Sequence, residues 1–304
     1  MPTSIAATAA AIRSMQVRGA AAIGIAAAQA LATHVQTLPE ARVVAGARKA
    51  ARTLDAARPT AVTLHNALGQ VLAAIQDASP SDRKGAATRA AESIAHDAAV
   101  SRQAIAKHGA RRIPDGAVVL THCHSSTAVA ILARAQSDGK AVEVIATETR
   151  PFRQGLRTVR DLHEAGLRVS LIVDSAVAHT LATRDIDLVL VGADTVARDG
   201  SLFNKIGTAG VAALAHARDV PFLSAAAASK FTARAPSKVP VEQRDASEVV
   251  SPKEVPRGVR VLNPVFDRTA PDLIASYVTE AGLLKPTQAV RRNRPKVPRE
   301  EVWG

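Results

Sequence analysis

The chain has 304 residues, enough for one large domain or two medium ones, and 47% are hydrophobic, so a sizeable core can form. Aromatics make up only 2%, so alanine and the branched aliphatics must fill that core, and helix contacts must carry much of its stability. The net charge of +12 suits an anionic partner; the lack of zinc-finger spacing and the scarcity of stacking aromatics favour a phosphorylated metabolite over nucleic acid.

Residues 1–110 read as a helical N-terminal domain. The segments 20–35, 39–54, 62–75 and 81–108 each show helical spacing with a polar face, and Pro59 and Ser79-Pro80 mark breaks. The alanine-rich stretch 20–32 follows Arg18-Gly19 without a clean cleavage site and reads as a buried helix, not a signal sequence. No apolar run is long and uncharged enough to span a membrane, and together with a single cysteine this points to the cytoplasm.

The texture changes after Gly109. Short apolar runs stand at 117–120, 141–146, 168–173, 188–191 and 221–225, and a helical stretch follows each of the first four. Strands alternating with helices at this spacing predict an α/β domain over 111–285, with a parallel sheet and right-handed crossovers. Ligands of such sheets bind at the carboxyl ends of the strands. Those ends read Thr121-His122-Cys123-His124, Thr147-Glu148-Thr149-Arg150, Asp174-Ser175 and Gly192-Ala193-Asp194, a shared polar rim. Beyond Lys230, the proline-rich and charged stretch 236–256 reads as a loop, Asn263-Pro264-Val265-Phe266-Asp267 as a turn, and 271–281 as a final helix. Residues 286–304 read as a basic tail, with Arg291, Arg292, Arg294, Lys296 and Arg299.

Cys123 has no partner for an internal disulfide, so its use lies in packing or in chemistry. His122 and His124 flank it, and alternate residues of an extended segment face one side. A nearby imidazolium would lower the thiol pKa and suit a base or nucleophile; zinc would need further ligands that no spacing supplies. Asp194 follows the fourth strand and reads as a proton donor, a helix cap or an arginine partner. Asn204 and Lys205 share a loop and suit substrate hydroxyls and phosphate, or form an ordinary turn. Arg18-Gly19-Ala20-Ala21 opens a helix where small residues let an anion approach the backbone N–H groups. Arg58, before another helix, and Lys230, after the last strand, are further cations that meet an anion or stay solvated.

Taken together, Arg18-Gly19-Ala20-Ala21, Arg58-Pro59-Thr60-Ala61-Val62, Thr121-His122-Cys123-His124-Ser125, Glu148-Thr149-Arg150-Pro151, Gly192-Ala193-Asp194 and Asn204-Lys205-Ile206-Gly207-Thr208 resemble one superfamily in both content and order. It is that of the sugar-phosphate isomerases related to the exchange-factor subunits of translation initiation. Val241-Glu242-Gln243-Arg244-Asp245 and the 263–267 motif extend the likeness, which covers roughly residues 10–285. The resemblance implies a helical N-terminal domain, a Rossmann-like parallel-sheet C-terminal domain and a homo-hexamer built as a trimer of dimers. Its archaeal ribose-bisphosphate branch implies conversion of ribose 1,5-bisphosphate to ribulose 1,5-bisphosphate in AMP salvage. Cys123 would accept a proton and Asp194 donate one. Arg18, Gly19, Ala20, Ala21, Arg58, Ser125, Ser126, Thr127, Asn204, Lys205 and Lys230 would hold the sugar phosphate. No metal or cofactor is called for, and AMP is an expected activator. Isomerisation of methylthioribose 1-phosphate and a non-catalytic exchange-factor role are the alternatives the same superfamily offers. Against the former, the turn after Cys123 reads His124-Ser125-Ser126, where that relative typically has Asn-Thr-Gly.

Overall fold

The computed structural model describes residues 4–58, 60–293 and 303. Pro59 and the tail positions Arg294, Lys296 and Arg299 lie outside the described residues. The chain divides into two compact units, one ending at Val100 and including Trp303, the other beginning at Ser101.

The first unit is helical: α1 (Ile5–Arg13), α2 (Ala20–Gln36), α3 (Val43–Asp55), α4 (Val62–Asp77) and the first part of α5 (Arg83–Arg112). Helix α3 shows why. Val43, Ala47, Ala50, Ala51 and Leu54 are its buried residues, an apolar stripe one turn apart that faces Leu31, Leu68 and Ile75 in a single core. Within this unit, helix α1 is not among the segments that the sequence pattern predicted.

The second unit is a doubly wound α/β domain. Its strands are β1 (Val118–Thr121), β2 (Glu143–Thr147), β3 (Arg168–Ile172), β4 (Leu188–Val191), β5 (Thr195–Val196), β6 (Leu202–Lys205), β7 (Phe222–Ala225), β8 (Phe266–Thr269), β9 (Ser276–Thr279) and β10 (Gly282–Leu284). Its helices are the end of α5, α6 (Ser126–Ser137), α7 (Gly155–Glu164), α8 (Val177–Thr183), α9 (Thr208–His216) and α10 (Pro286–Arg292). The main sheet runs β10-β9-β7-β4-β1-β2-β3, parallel except for the antiparallel edge pair β9–β10. Strand β4 is buried at all four positions, as a central parallel strand must be. Its Leu188 and Leu190 join Val119, Ile131, Leu132 and Leu162 on one face; Val189 and Val191 join Leu120, Leu181, Val211 and Ala215 on the other. The sequence runs outward from β1 through β2 to β3, then returns to the far side of β1 as β4. The crevice between β1 and β4 is therefore the topological switch point, where open α/β sheets bind ligands.

Three expectations are corrected here. Residues 271–281 form no helix: a 3-10 turn at Pro271–Leu273 leads into β9, and the last helix is α10. Tyr277 and Val278 are fully buried in the sheet, and that burial overrides the helical spacing. Asn204 and Lys205 end strand β6 of a small antiparallel sheet β5-β6-β8, not a loop. Phe266 and Asp267 belong to β8 and pair with Lys205 and Asn204, so the predicted turn ends earlier.

Candidate active site

Cys123 and Asp194 follow β1 and β4, the two strands flanking the switch point, whose pairing sets Leu120 opposite Val189. Thr121 fastens these ends together, its Oγ1 donating to the Leu190 carbonyl at 2.7 Å. Gly192 lets them close: a Cβ there would lie 2.6 Å from Ser125 Oγ. Ser125 caps α6, accepting the Ala128 N–H at 3.2 Å, and Ser126 and Thr127 form its first turn, so this helix start faces an anion with open N–H groups.

Cys123 itself has a left-handed backbone, φ 67°, which costs a non-glycine residue on the order of 1 kcal/mol. Its N–H donates to Thr149 Oγ1 at 2.9 Å, and its carbonyl accepts from Thr158 Oγ1 at 2.9 Å. That conformation breaks the strand alternation, so the two histidines do not converge. His122 is buried, with Nδ1 2.7 Å from Thr147 Oγ1 and Nε2 2.9 Å from the Ile206 carbonyl. His124 turns to α7, with Nδ1 3.2 Å from Thr158 Oγ1 and Nε2 3.7 Å from Asp161. Among the described residues no three His, Cys, Asp or Glu side chains gather as a metal-ligand set.

The electrostatics also differ from the sequence expectation. Burial lowers the pKa of both histidines, so neither supplies the imidazolium predicted to activate the thiol. Burial pushes the Cys123 thiol up to about 11, with the Asp194 and Asp174 charges acting the same way. The opposing influences are Lys205 and the His124 backbone N–H. Lys205 is 4% exposed and sits over the Phe266 ring at 5.3 Å. The cation serving the thiol is thus a lysine from the small sheet.

The remaining polar residues around this site have defined partners. Asn204 is buried and donates to Thr208 Oγ1 at 3.0 Å, and Lys230 Nζ donates to the Ala193 carbonyl, beside Asp194, at 2.7 Å. The Asp194 carboxylate makes no hydrogen bond or ion pair among the described residues and is open to a ligand. Two carboxylates outside the predicted set shape the site. Asp174 accepts the Thr149 and Arg150 N–H groups, each at 2.7 Å, and Asp267 accepts those of Gly207 at 2.7 Å and Ala209 at 3.1 Å, capping α9. Burial raises Asp267 to about 6 against those two bonds. Both carboxylates stood in motifs visible in the sequence, but their partners are distant in the chain.

The other predicted residues lie in the first unit. Gly19, φ 87°, is the N-cap of α2, which begins with Ala20 and Ala21. Arg18 Nε donates to the Met15 carbonyl, and buried Arg58 reaches Met15 Sδ at 3.5 Å, so both arginines meet at Met15.

A thiol and a carboxylate thus stand at the switch point of a doubly wound α/β sheet, with Lys205 as the cation acting on the thiol. The chain belongs to the initiation factor 2 subunit family, which it matches over residues 16–286. It is 42% identical to the ribose 1,5-bisphosphate isomerase of Archaeoglobus fulgidus over 280 residues, covering 91% of this chain and 88% of that one. It is 39% identical to the methylthioribose-1-phosphate isomerase of Chloroflexus aurantiacus over 304 residues, covering 93% and 88%. Among solved structures it superposes on the translation initiation factor eIF-2B of Pyrococcus horikoshii with a TM-score of 0.84 at 25% identity, covering 95% of this chain and all of that one.

Proposed function

We propose that this protein is an aldose–ketose isomerase that converts ribose 1,5-bisphosphate to ribulose 1,5-bisphosphate, a step of AMP salvage. The observation that carries the reading is the thiol–carboxylate pair at the switch point, in a chain 42% identical to a relative named for that reaction.

The chemistry suits these side chains. The anomeric carbon carries a phosphate, so the sugar has no free aldehyde and its ring must first open. Asp194, as the acid, gives a proton to the ring oxygen as its bond to C1 breaks. Cys123, as the thiolate, takes the proton from C2, and a C1–C2 enol phosphate forms. The enol hydroxyl returns a proton to Asp194 and the thiol delivers its proton to C1, leaving a ketone at C2 with no net change in atoms or electrons. Lys205 favours the thiolate, the start of α6 suits one phosphate, and Lys230 and Asn204 suit the sugar and phosphate oxygens. Arg18 to Ala21 and Arg58 are assigned to phosphate on their motifs. A homo-hexamer, a cytoplasmic location and activation by AMP belong to the same reading. Among the described residues no helix is long and apolar enough to cross a membrane.

The methylthioribose 1-phosphate reading shares the chemistry and is favoured by the 39% identity to a relative of that name. The deciding assay offers each sugar phosphate, with and without AMP, and follows ketose formation. Turnover of the bisphosphate that disappears in Cys123→Ser and Asp194→Asn supports the proposal. Near-native turnover in Cys123→Ser sinks the mechanism, and turnover of only the methylthio sugar sinks the substrate.

A further inference from the structure

We propose that His122, Thr147 and Thr149 form a positioning chain that sets the backbone of Cys123 and ties it to the strand end carrying Lys205. The inference deepens the isomerase reading and rests on Cys123 as the base.

Elementary chemistry fixes the direction of every proton in this chain. The Ile206 carbonyl can only accept, so His122 Nε2, 2.9 Å away, carries a hydrogen. Burial keeps the imidazole neutral, so Nδ1 is a bare acceptor and Thr147 Oγ1, at 2.7 Å, must donate to it. Thr147 has then spent its one hydrogen. The Thr149 hydroxyl, 3.1 Å away, is the donor of the next link, with the Thr147 carbonyl, at 3.4 Å, as its longer second acceptor. Thr149 Oγ1 keeps a lone pair for the Cys123 N–H at 2.9 Å. Both threonine hydroxyls are buried, so each link lacks a competing water.

The two ends of this chain are the two parts that proton abstraction needs held in register. One end is the Cys123 amide, at the residue whose left-handed backbone aims the thiol. The other is Ile206, next to Lys205. Gly207 closes the fit: it holds φ 100°, and a Cβ there would come within 3.1 Å of the His122 ring. Asp174 supports the middle by accepting the Thr149 N–H, so Thr149 also keeps its left-handed φ of 62°. None of the three side chains has to touch substrate to act; each acts through Cys123.

Thr149→Val keeps the shape and removes the hydroxyl, and Thr149→Ser keeps the hydroxyl. With each sugar phosphate as substrate, Thr149→Val is expected to lose roughly 100-fold in kcat at near-constant KM, and Thr149→Ser to recover most of it. Without substrate, iodoacetamide should alkylate Cys123 about 10-fold faster in Thr149→Val, because a relaxed turn exposes the thiol. Thr147→Val, one link further off, should move both readouts the same way and serves if Thr149→Val does not fold. Native alkylation in a folded valine variant overturns the proposal. So does a Thr149→Ser as impaired as Thr149→Val, since the methyl group would then be what matters. Because alkylation needs no substrate, a protein inert towards both sugars would refute the isomerase reading and still leave this chain tested.

Discussion

Raising the pH on the ligand-free protein, and following alkylation of Cys123, reads the electrostatics of the site directly. Iodoacetamide reacts with the thiolate, and Cys123 is the only cysteine, so the signal has one source. Burial lifts the thiol from its ordinary value of 9.0 to about 11, which disfavours the thiolate by about 3 kcal/mol. At neutral pH only about one molecule in 10⁴ then carries it, roughly 100-fold fewer than for the unfolded chain. Alkylation should be slow near neutrality and keep climbing with pH toward an inflection near 11. The same proton weighs on stability. The folded state holds it more tightly than the unfolded chain, so its contribution is complete below 9.0 and is lost as pH rises through about 11. The alkaline loss of stability in the native protein should therefore exceed that of Cys123→Ser by up to about 3 kcal/mol in urea titrations. An inflection below about 8 in the free protein would refute the reasoning, because it would mean a thiolate already formed, as an adjacent imidazolium would produce.

Other perturbations follow from the same geometry. Lys205→Met removes the side-chain cation that opposes burial, so Cys123 alkylation at fixed pH should slow and kcat should fall; faster alkylation would contradict the assignment. Gly192→Ala drives a Cβ to 2.6 Å from Ser125 Oγ, and the thermal midpoint should report a loss of about 1–3 kcal/mol, with a raised KM from the displaced start of α6. Tyr277→Phe deletes a buried hydroxyl that donates to the Gly200 carbonyl at 2.9 Å, and chemical unfolding should show a loss of about 1 kcal/mol with activity retained.

Much of the fold was legible because its signals are local. The helical spacing read over 39–54, which holds α3 from Val43, and the uninterrupted Leu-Val-Leu-Val of β4 each report burial along one element. The hairpin β9–β10 was not legible, because Tyr277 and Val278 take their conformation from a sheet built by residues far away in the chain. The candidate site divides in the same way. Cys123 and Asp194 stood at polar ends of apolar runs, which the sequence by itself marked as a rim, and Lys205 and the start of α6 stood in ordered motifs. It could not say which charge serves the thiol.

That decision belongs to the tertiary structure. Alternation along an extended strand predicted two histidines beside the sulfur, but the left-handed φ of Cys123 sends His122 to Thr147 and Ile206 and His124 to α7. Burial then removes the charge of both imidazoles and raises the thiol, and the cation arrives from β6, more than 80 residues along the chain. Residue type and strand-end position are properties of a local string, and the sequence alone determined them. Protonation depends on what surrounds a group in three dimensions, and only the packed fold decided it.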